Sequence, residues 1–256
     1  MKITSWNVNS IRIREPHVAA FLQAEQPDLL LLQEIKTEVL NFPALAFAGL
    51  GYQAVIVGQK SYNGVAILHR APVEVTHTSL PGLPGDDTQA RFVEIRAQNL
   101  RVGNLYLPNG NSGGETGYQY KLDWMAHLRT HAQTMLDADE DFLLAGDYNV
   151  CPTDADFAPG AIGPDDALIR PPTRAAYNAL LWTGLTEAFR ALHPAESAYT
   201  FWDYQAGAWD RNSGLRIDHA LLSPRLAERL THSIIHKPER ARTQPSDHVP
   251  VSFILD

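Results

Sequence analysis

Residues 142–149 read "FLLAGDYN". Phe142 to Ala145 form a short, unbroken apolar run, the pattern of a strand buried on both faces. Gly146 ends it, and Asp147, Tyr148 and Asn149 follow. If the chain stays extended there, Asp147 and Asn149 share a face and Tyr148 turns away. "LLLLQE" at 29–34 repeats the arrangement, with Glu34 closing an almost wholly apolar run. A buried strand that delivers an acid at its mouth sets the reading of the rest of the chain.

Strand-like runs dominate: near 3–8, 29–34, 52–58, 64–70, 73–80, 92–97, 101–108, 142–147, 199–203, 217–222, 231–236 and 249–255. Helical patterns are predicted only at 15–26, 118–137, 173–183 and 223–230, the last opening with Ser223 as N-cap and Pro224 at the first helical position. "YNG" at 62–64 and "PGLPGDD" at 81–87 are hairpin signals. Many neighbouring strands have no helix between them, which favours antiparallel or mixed sheets with helices outside. The segment 151–172, rich in Pro, Gly and Asp, reads as a long loop. No repeat or linker interrupts the chain, so one domain over 1–256 is expected.

Bulk properties narrow the function. One cysteine among 256 residues excludes an internal disulfide and suits a reducing compartment. The start, "MKITSWNV", is strand-like and lacks the apolar stretch of a signal peptide. The longest aliphatic run, "LLLL" at 29–32, is far too short to span a membrane. A cytoplasmic protein with no membrane partner is expected. The net charge of −8 argues against general polyanion binding but permits a local basic groove.

Polar residues gather where strands begin and end. Asn7 and Asn9 share a face of "SWNVN", and Tyr106 sits near the end of "NLYLPN". Asp218 opens "DHALL", and Asp247 with His248 opens the last strand. Each alone fits an ordinary turn or solvated strand end. In an antiparallel arrangement, however, ends and beginnings meet at one sheet edge. One site then collects Asn7, Glu34, Tyr106, Asp147, Asn149, Asp218, Asp247 and His248. Carboxylates and amides with little histidine and no cysteine suit Mg²⁺ or Mn²⁺ rather than zinc, and Glu34 is the best single ligand. Asp218 with His248 has the form of a carboxylate orienting an imidazole. Asp147 is suited to orient or deprotonate a water, and Asn149 to position that water or a phosphate. The chemistry is metal-assisted phosphodiester hydrolysis. No G-x-S-x-G elbow, P-loop, Rossmann glycine motif or CxxC pair is present.

The wording and order of "ITSWNVNSIR", "LLLLQEIKT", "YNGVAIL", "NLYLPNG", "LLAGDYNV", "YTFWDY", "GLRIDHALLS" and "PSDHVPV" resemble the exonuclease III family of bacterial DNA-repair nucleases, nearly end to end. The resemblance implies a four-layer α/β sandwich, two facing sheets flanked by helices. It implies Mg²⁺-dependent cleavage of double-stranded DNA by a monomer: incision 5′ to abasic sites, 3′→5′ exonuclease action, or cleaning of 3′-damaged ends. Carried over, Asn7 and Glu34 are metal-site residues, joined by Asp147, Asn149 and Asp247. Tyr106 contacts the phosphate, Asp147 handles the water or leaving group, and Asn149 stabilises the transition state. Asp218 orients His248.

The same resemblance assigns Phe201, Trp202, Leu215 and Ile217 to the walls of an abasic-sugar pocket. DNA contacts are expected from Lys60 and Arg211, with Arg12, Lys36, Lys121, Arg174 and Arg216 as further candidates. Two departures stand out: Asn9 occupies a position where relatives often carry Asp, and "RPPTRAAY" replaces an expected Glu-Arg pair. Two alternatives accompany this reading. One is a phosphodiesterase of RNA or a small phosphoester, and the other is a nucleic-acid-binding regulator without catalysis.

Overall fold

The computed structural model describes residues 1–256. Twelve strands form two six-stranded mixed sheets. The first holds β1 (Lys2–Asn7), β2 (Leu29–Gln33), β3 (Gln53–Val57), β4 (Val65–His69), β11 (Leu230–Ile235) and β12 (Val251–Leu255), in the order β11-β12-β1-β2-β4-β3. The second holds β5 (Glu74–His77), β6 (Phe92–Ala97), β7 (Leu100–Tyr106), β8 (Asp141–Asp147), β9 (Thr186–Glu187) and β10 (Asp218–Leu222), in the order β5-β6-β7-β8-β10-β9. Six helices accompany them: α1 (Ile11–Glu25), α2 (Ala44–Ala48), α3 (Gly114–Asp137), α4 (Pro171–Leu181), α5 (Ala188–Leu192) and α6 (Pro224–Ala227). None is long and apolar enough to cross a membrane.

The two sheets are built alike. Each has one parallel pair at its centre, β1 with β2 and β7 with β8, bridged by α1 and α3 respectively. All other neighbours are antiparallel. A parallel pair puts both C-terminal ends at one edge. The ends of β1 and β8 meet there, since Asn7 Nδ2 donates to Asp147 Oδ2 at 3.0 Å. Antiparallel β10 then begins at that edge, with Asp218 opposite Asp147.

Alternation along the strands explains the layers. Leu29 and Leu31 of β2 and Leu143 and Ala145 of β8 join the core between the sheets, with Ile3, Val102 and Val251. Leu30 and Leu32 face outward into a second core under α1, and Phe142 and Leu144 into a third under α3 and α4. The inner faces become polar toward the active edge: Ile3 gives way to Ser5 and Asn7, Leu31 to Gln33, Val102 to Asn104, and Ala145 to Asp147. Gln33 Nε2 donates to Asn104 Oδ1 at 2.7 Å and Ser5 Oγ at 3.1 Å, and Asn104 Nδ2 donates to the carbonyls of Leu32 and Ala66. The donors of both amides are thus satisfied, while Gln33 Oε1 stays buried without a partner. At Gly146 a Cβ would lie 1.9 Å from the Leu105 carbonyl oxygen, so only glycine lets β8 pass β7 there.

Several expectations need correction. α1 starts at Ile11 rather than 15, and Pro16 lies inside it. Its start is held by tertiary bonds, Ser10 N–H to Glu34 and Ile11 N–H to Ile35, so the helix begins a turn ahead of Pro16, which lacks a donor of its own. The run 199–203 is not a strand. Phe201 makes only isolated bridges to Leu215 and His248, because it lies between two loop ends at the rim of the sheets. Only Pro224–Ala227 of 223–230 is helical, and Leu230 already belongs to β11. The Ser223 hydroxyl accepts the Phe142 N–H instead of capping its helix. The short α2, α5 and β9 carry too few residues to generate a period.

Candidate active site

A cavity of about 530 Å³ opens at the edge where the strand ends converge. Glu34, Tyr106, Asp147, Asn149, Asp247 and His248 line its polar end, and Phe201, Leu215 and Ile217 line an apolar side. The residues 160–168 of the long loop complete the wall through Ile162 and Leu168.

Asn7 organises the two central carboxylates. Fully buried, it donates through Nδ2 to Glu34 Oε1 at 2.9 Å and to Asp147 Oδ2 at 3.0 Å. Its Oδ1 accepts the Asn9 N–H at 3.0 Å. Asp147 Oδ1 accepts the Asn149 N–H at 2.9 Å, a turn that places Asn149 at φ 49. The chain is thus bent after Asp147 rather than extended, yet both side chains reach the cavity. Tyr148 does turn away: it is buried against Tyr177, and its hydroxyl donates to the Leu144 carbonyl. Asn149 Nδ2 donates to the Leu107 carbonyl, and Asn109 Nδ2 donates to Asn149 Oδ1, each at 2.9 Å.

His248 is buried between two acids. Its Nδ1 lies 2.8 Å from Asp218 Oδ2 and its Nε2 lies 3.7 Å from Asp147 Oδ2. Burial lowers its proton affinity, but the charges of Asp218 and Asp147 prevail and hold the ring protonated well above the usual imidazole range. Burial raises Asp147, and the nearby Asp218 charge adds to this. Tyr106 is likewise raised, by burial and then by the charges of Glu34 and Asp147. Burial would raise Glu34, yet Lys36 and the bonds from Asn7 and Lys36 bring it below the ordinary carboxylate range.

The oxygen donors suit a hard cation. Glu34, Asp147 and Asp247 offer carboxylates and Asn149 an amide at one cavity, with no sulfur ligand. The Oδ1 of Asp218, buried nearby, has no hydrogen-bond partner. Asp147, Asp218 and His248 place ligand atoms within 4.8 Å of one another. With its Nδ1 engaged by Asp218 and its Nε2 facing the cavity, His248 offers a hydrogen-bond donor beside the Asp147 carboxylate.

The sequence pattern of the Endonuclease/Exonuclease/phosphatase family matches residues 4–248. The chain belongs to this family. Exodeoxyribonuclease III of Haemophilus influenzae is 35% identical over 98% of each chain. A 3′ phosphatase from Neisseria, solved with a product DNA hairpin, is 38% identical over 100% of this chain and 99% of that one, with a TM-score of 0.94. An AP endonuclease from Archaeoglobus fulgidus is 35% identical over 100% of this chain and 99% of its own, with a TM-score of 0.92. The mixed double sheet flanked by helices is the α/β sandwich of this family.

Within the endonuclease/exonuclease/phosphatase frame, some expected residues sit elsewhere. Trp202 is fully buried and does not line the cavity; its indole N–H donates to Asn212 Oδ1 and its ring packs on Trp209 behind the wall. Asn7 lies beneath the cavity and supports the two acids. Lys60 is exposed on the loop between β3 and β4, outside the cavity lining, whereas Arg211 lines it. Lys121 is fully buried, donating to the carbonyls of Asn109 and Asn149; burial lowers its pKa to about 7. It fastens α3 to the site and is not free to meet DNA. Asn109 and Lys121 were not recognisable as site-building residues, because one meets the Asn149 side chain and the other two backbone carbonyls, all distant in sequence.

Arg216 is also buried, not a DNA contact. It donates to Asp156 Oδ1 at 2.8 Å and to Glu187 Oε1 at 3.1 Å, and Arg190 joins Asp156 at 2.6 Å. The network ties the 151–172 loop to the segment that carries Leu215 and Ile217 into β10. Burial disfavours both carboxylates, but Arg216 lowers Asp156 and Glu187 to about 2 each. Depressed folded values stabilise the fold above the unfolded carboxylate range. That stability, on the order of 2–3 kcal/mol apiece, is lost as pH falls from about 5 toward 2. Urea unfolding at pH 7 and pH 3 should show the loss, and Asp156→Asn should reduce it by the Asp156 share while that of Glu187 remains.

Proposed function

We propose that this chain is a Mg²⁺-dependent DNA-repair phosphodiesterase, incising duplex DNA 5′ to abasic sites, degrading it 3′→5′, or removing 3′-blocking groups. The observation that carries the reading is the meeting, in one cavity, of Glu34, Asp147 and Asn149 with the Asp218–His248 pair. The full-length likeness to exodeoxyribonuclease III and to AP endonuclease supports DNA as substrate. Residues 1–256 act as one catalytic domain, as a cytoplasmic monomer.

The residues divide the work as follows. Glu34, with Asp147, Asn149 and Asp247 around it and Asn7 beneath, would hold the metal. When bound, Mg²⁺ supplies charge stabilisation to the phosphoryl oxygens. His248, held protonated by Asp218, donates from Nε2 to a non-bridging phosphate oxygen. Tyr106 keeps its hydroxyl proton and donates to the same group. Asp147 accepts a proton from the attacking water or passes one to the departing oxygen. The side-chain amide of Asn149 retains one N–H for the developing charge. Phe201, Leu215 and Ile217 form an apolar wall suited to a sugar without its base, and Arg211 supplies a cation at the rim. A side-by-side assay on abasic duplex, recessed 3′ ends, 3′-phosphate ends, RNA and small phosphoesters tests the reading. Cleavage of at least one duplex DNA substrate well above the others is expected; preference for RNA or a small phosphoester would overturn it.

A further inference from the structure

We propose that Lys36 is a displaceable counter-cation of the metal site: its ammonium and a divalent ion compete for the Glu34 carboxylate. The inference rests on the reading of Glu34 as a metal ligand.

Both oxygens of Glu34 are engaged. Oε1 accepts from Asn7, and Oε2 lies 2.8 Å from Lys36 Nζ. The ammonium's other hydrogen-bond partner is neutral, since Nζ donates to Asn9 Oδ1 at 2.5 Å. Asn9 in turn donates through Nδ2 to Asp247 Oδ1 at 3.1 Å. Glu34 is therefore the one carboxylate in direct contact with the lysine charge, and Asn9 links that charge to a second acid of the cavity.

The placement is built into the backbone. Glu34 and Lys36 have φ 49 and 52, the left-handed region that residues of these types seldom adopt. The intervening Ile35 is fully buried in the core. Ser10 N–H to Glu34, Ile11 N–H to Ile35, Ile35 N–H to Gly64 and Lys36 N–H to Asn63 pin the segment from both sides. Strained backbone held by such bonds concentrates where side chains must be aimed. Here it aims an acid and a base at each other.

A unit positive charge a few ångströms from a cation site opposes binding, and the pair is shielded enough for this to register: the side chains are 28% and 18% exposed. The lysine stem is flexible and partly exposed, so the ammonium is able to leave when the metal arrives.

The test is Mn²⁺ affinity of the protein alone, by calorimetry or electron paramagnetic resonance, without DNA and without an activity readout. Lys36→Met and Lys36→Gln should each bind Mn²⁺ roughly tenfold more tightly than wild type. Unfolding midpoints check that both variants fold. Equal or weaker Mn²⁺ binding in the folded variants overturns the proposal. Glu34→Gln is the separate control: it should lose affinity with Lys36 present or replaced. Retention of wild-type Mn²⁺ affinity in Glu34→Gln would overturn the metal-site reading itself, and this inference with it.

Discussion

Asp147→Asn should slow DNA cleavage roughly 10³-fold while leaving DNA affinity within a few-fold of wild type, the range expected for a lost acid–base group. The substitution keeps the shape of the side chain. Its oxygen can still accept the Asn149 N–H, as Asp147 Oδ1 does. What it removes is a carboxylate able to take a proton at the cavity face, 3.7 Å from His248 Nε2, and with it the oxygen that accepts from Asn7 Nδ2. Single-turnover kinetics and filter binding separate the two effects. Near-normal turnover in the folded variant would mean that Asp147 is not the proton-handling group.

His248→Asn should have the second large effect, on stability as well as on rate. Asp218 is nearly fully buried, and its Oδ1 already lacks a partner. Removal of the imidazole leaves a buried carboxylate without its counter-charge, a change that costs about 3–5 kcal/mol. Asp218→Asn combined with His248→Asn should recover part of that loss, because no uncompensated charge remains. Urea midpoints for the two single variants and the double variant measure the coupling. The folded state raises the proton affinity of His248. The contribution of the pair is thus complete below the unfolded imidazole value of about 6.5 and fades as pH rises through the elevated folded one. A double variant as unstable as His248→Asn alone would contradict the charge argument.

Much of this arrangement was legible in the sequence because it lies on strands. Alternation distinguishes inward from outward residues, and the passage from apolar to polar along "ITSWN", "LLLLQE" and "LLAGD" marks one end of three of the four central strands. The convergence of Asn7, Glu34, Tyr106, Asp147, Asp218 and His248 was expected from antiparallel pairing alone; in the structure two central parallel pairs also deliver strand ends to that edge. What remained illegible depends on backbone partners or on burial. Nothing local separates Lys121 and Arg216 from surface cations, yet the fold encloses both, one by backbone carbonyls and the other by Asp156 and Glu187. Trp202 reads like its neighbour Phe201, but sits behind the wall that Phe201 forms. The irregular segments 157–170 and 199–216 have no period to reveal which side chains they present.

The proposed activity depends on a divalent cation held at the oxygen-lined site. The most direct measurement is cleavage of duplex DNA by protein stripped with EDTA, then titrated with Mg²⁺, beside Glu34→Gln under the same conditions. Wild type should be inert without metal and recover with Mg²⁺, and Glu34→Gln should recover weakly or only at much higher concentration. Full cleavage in EDTA, or equal recovery by Glu34→Gln, would contradict the account.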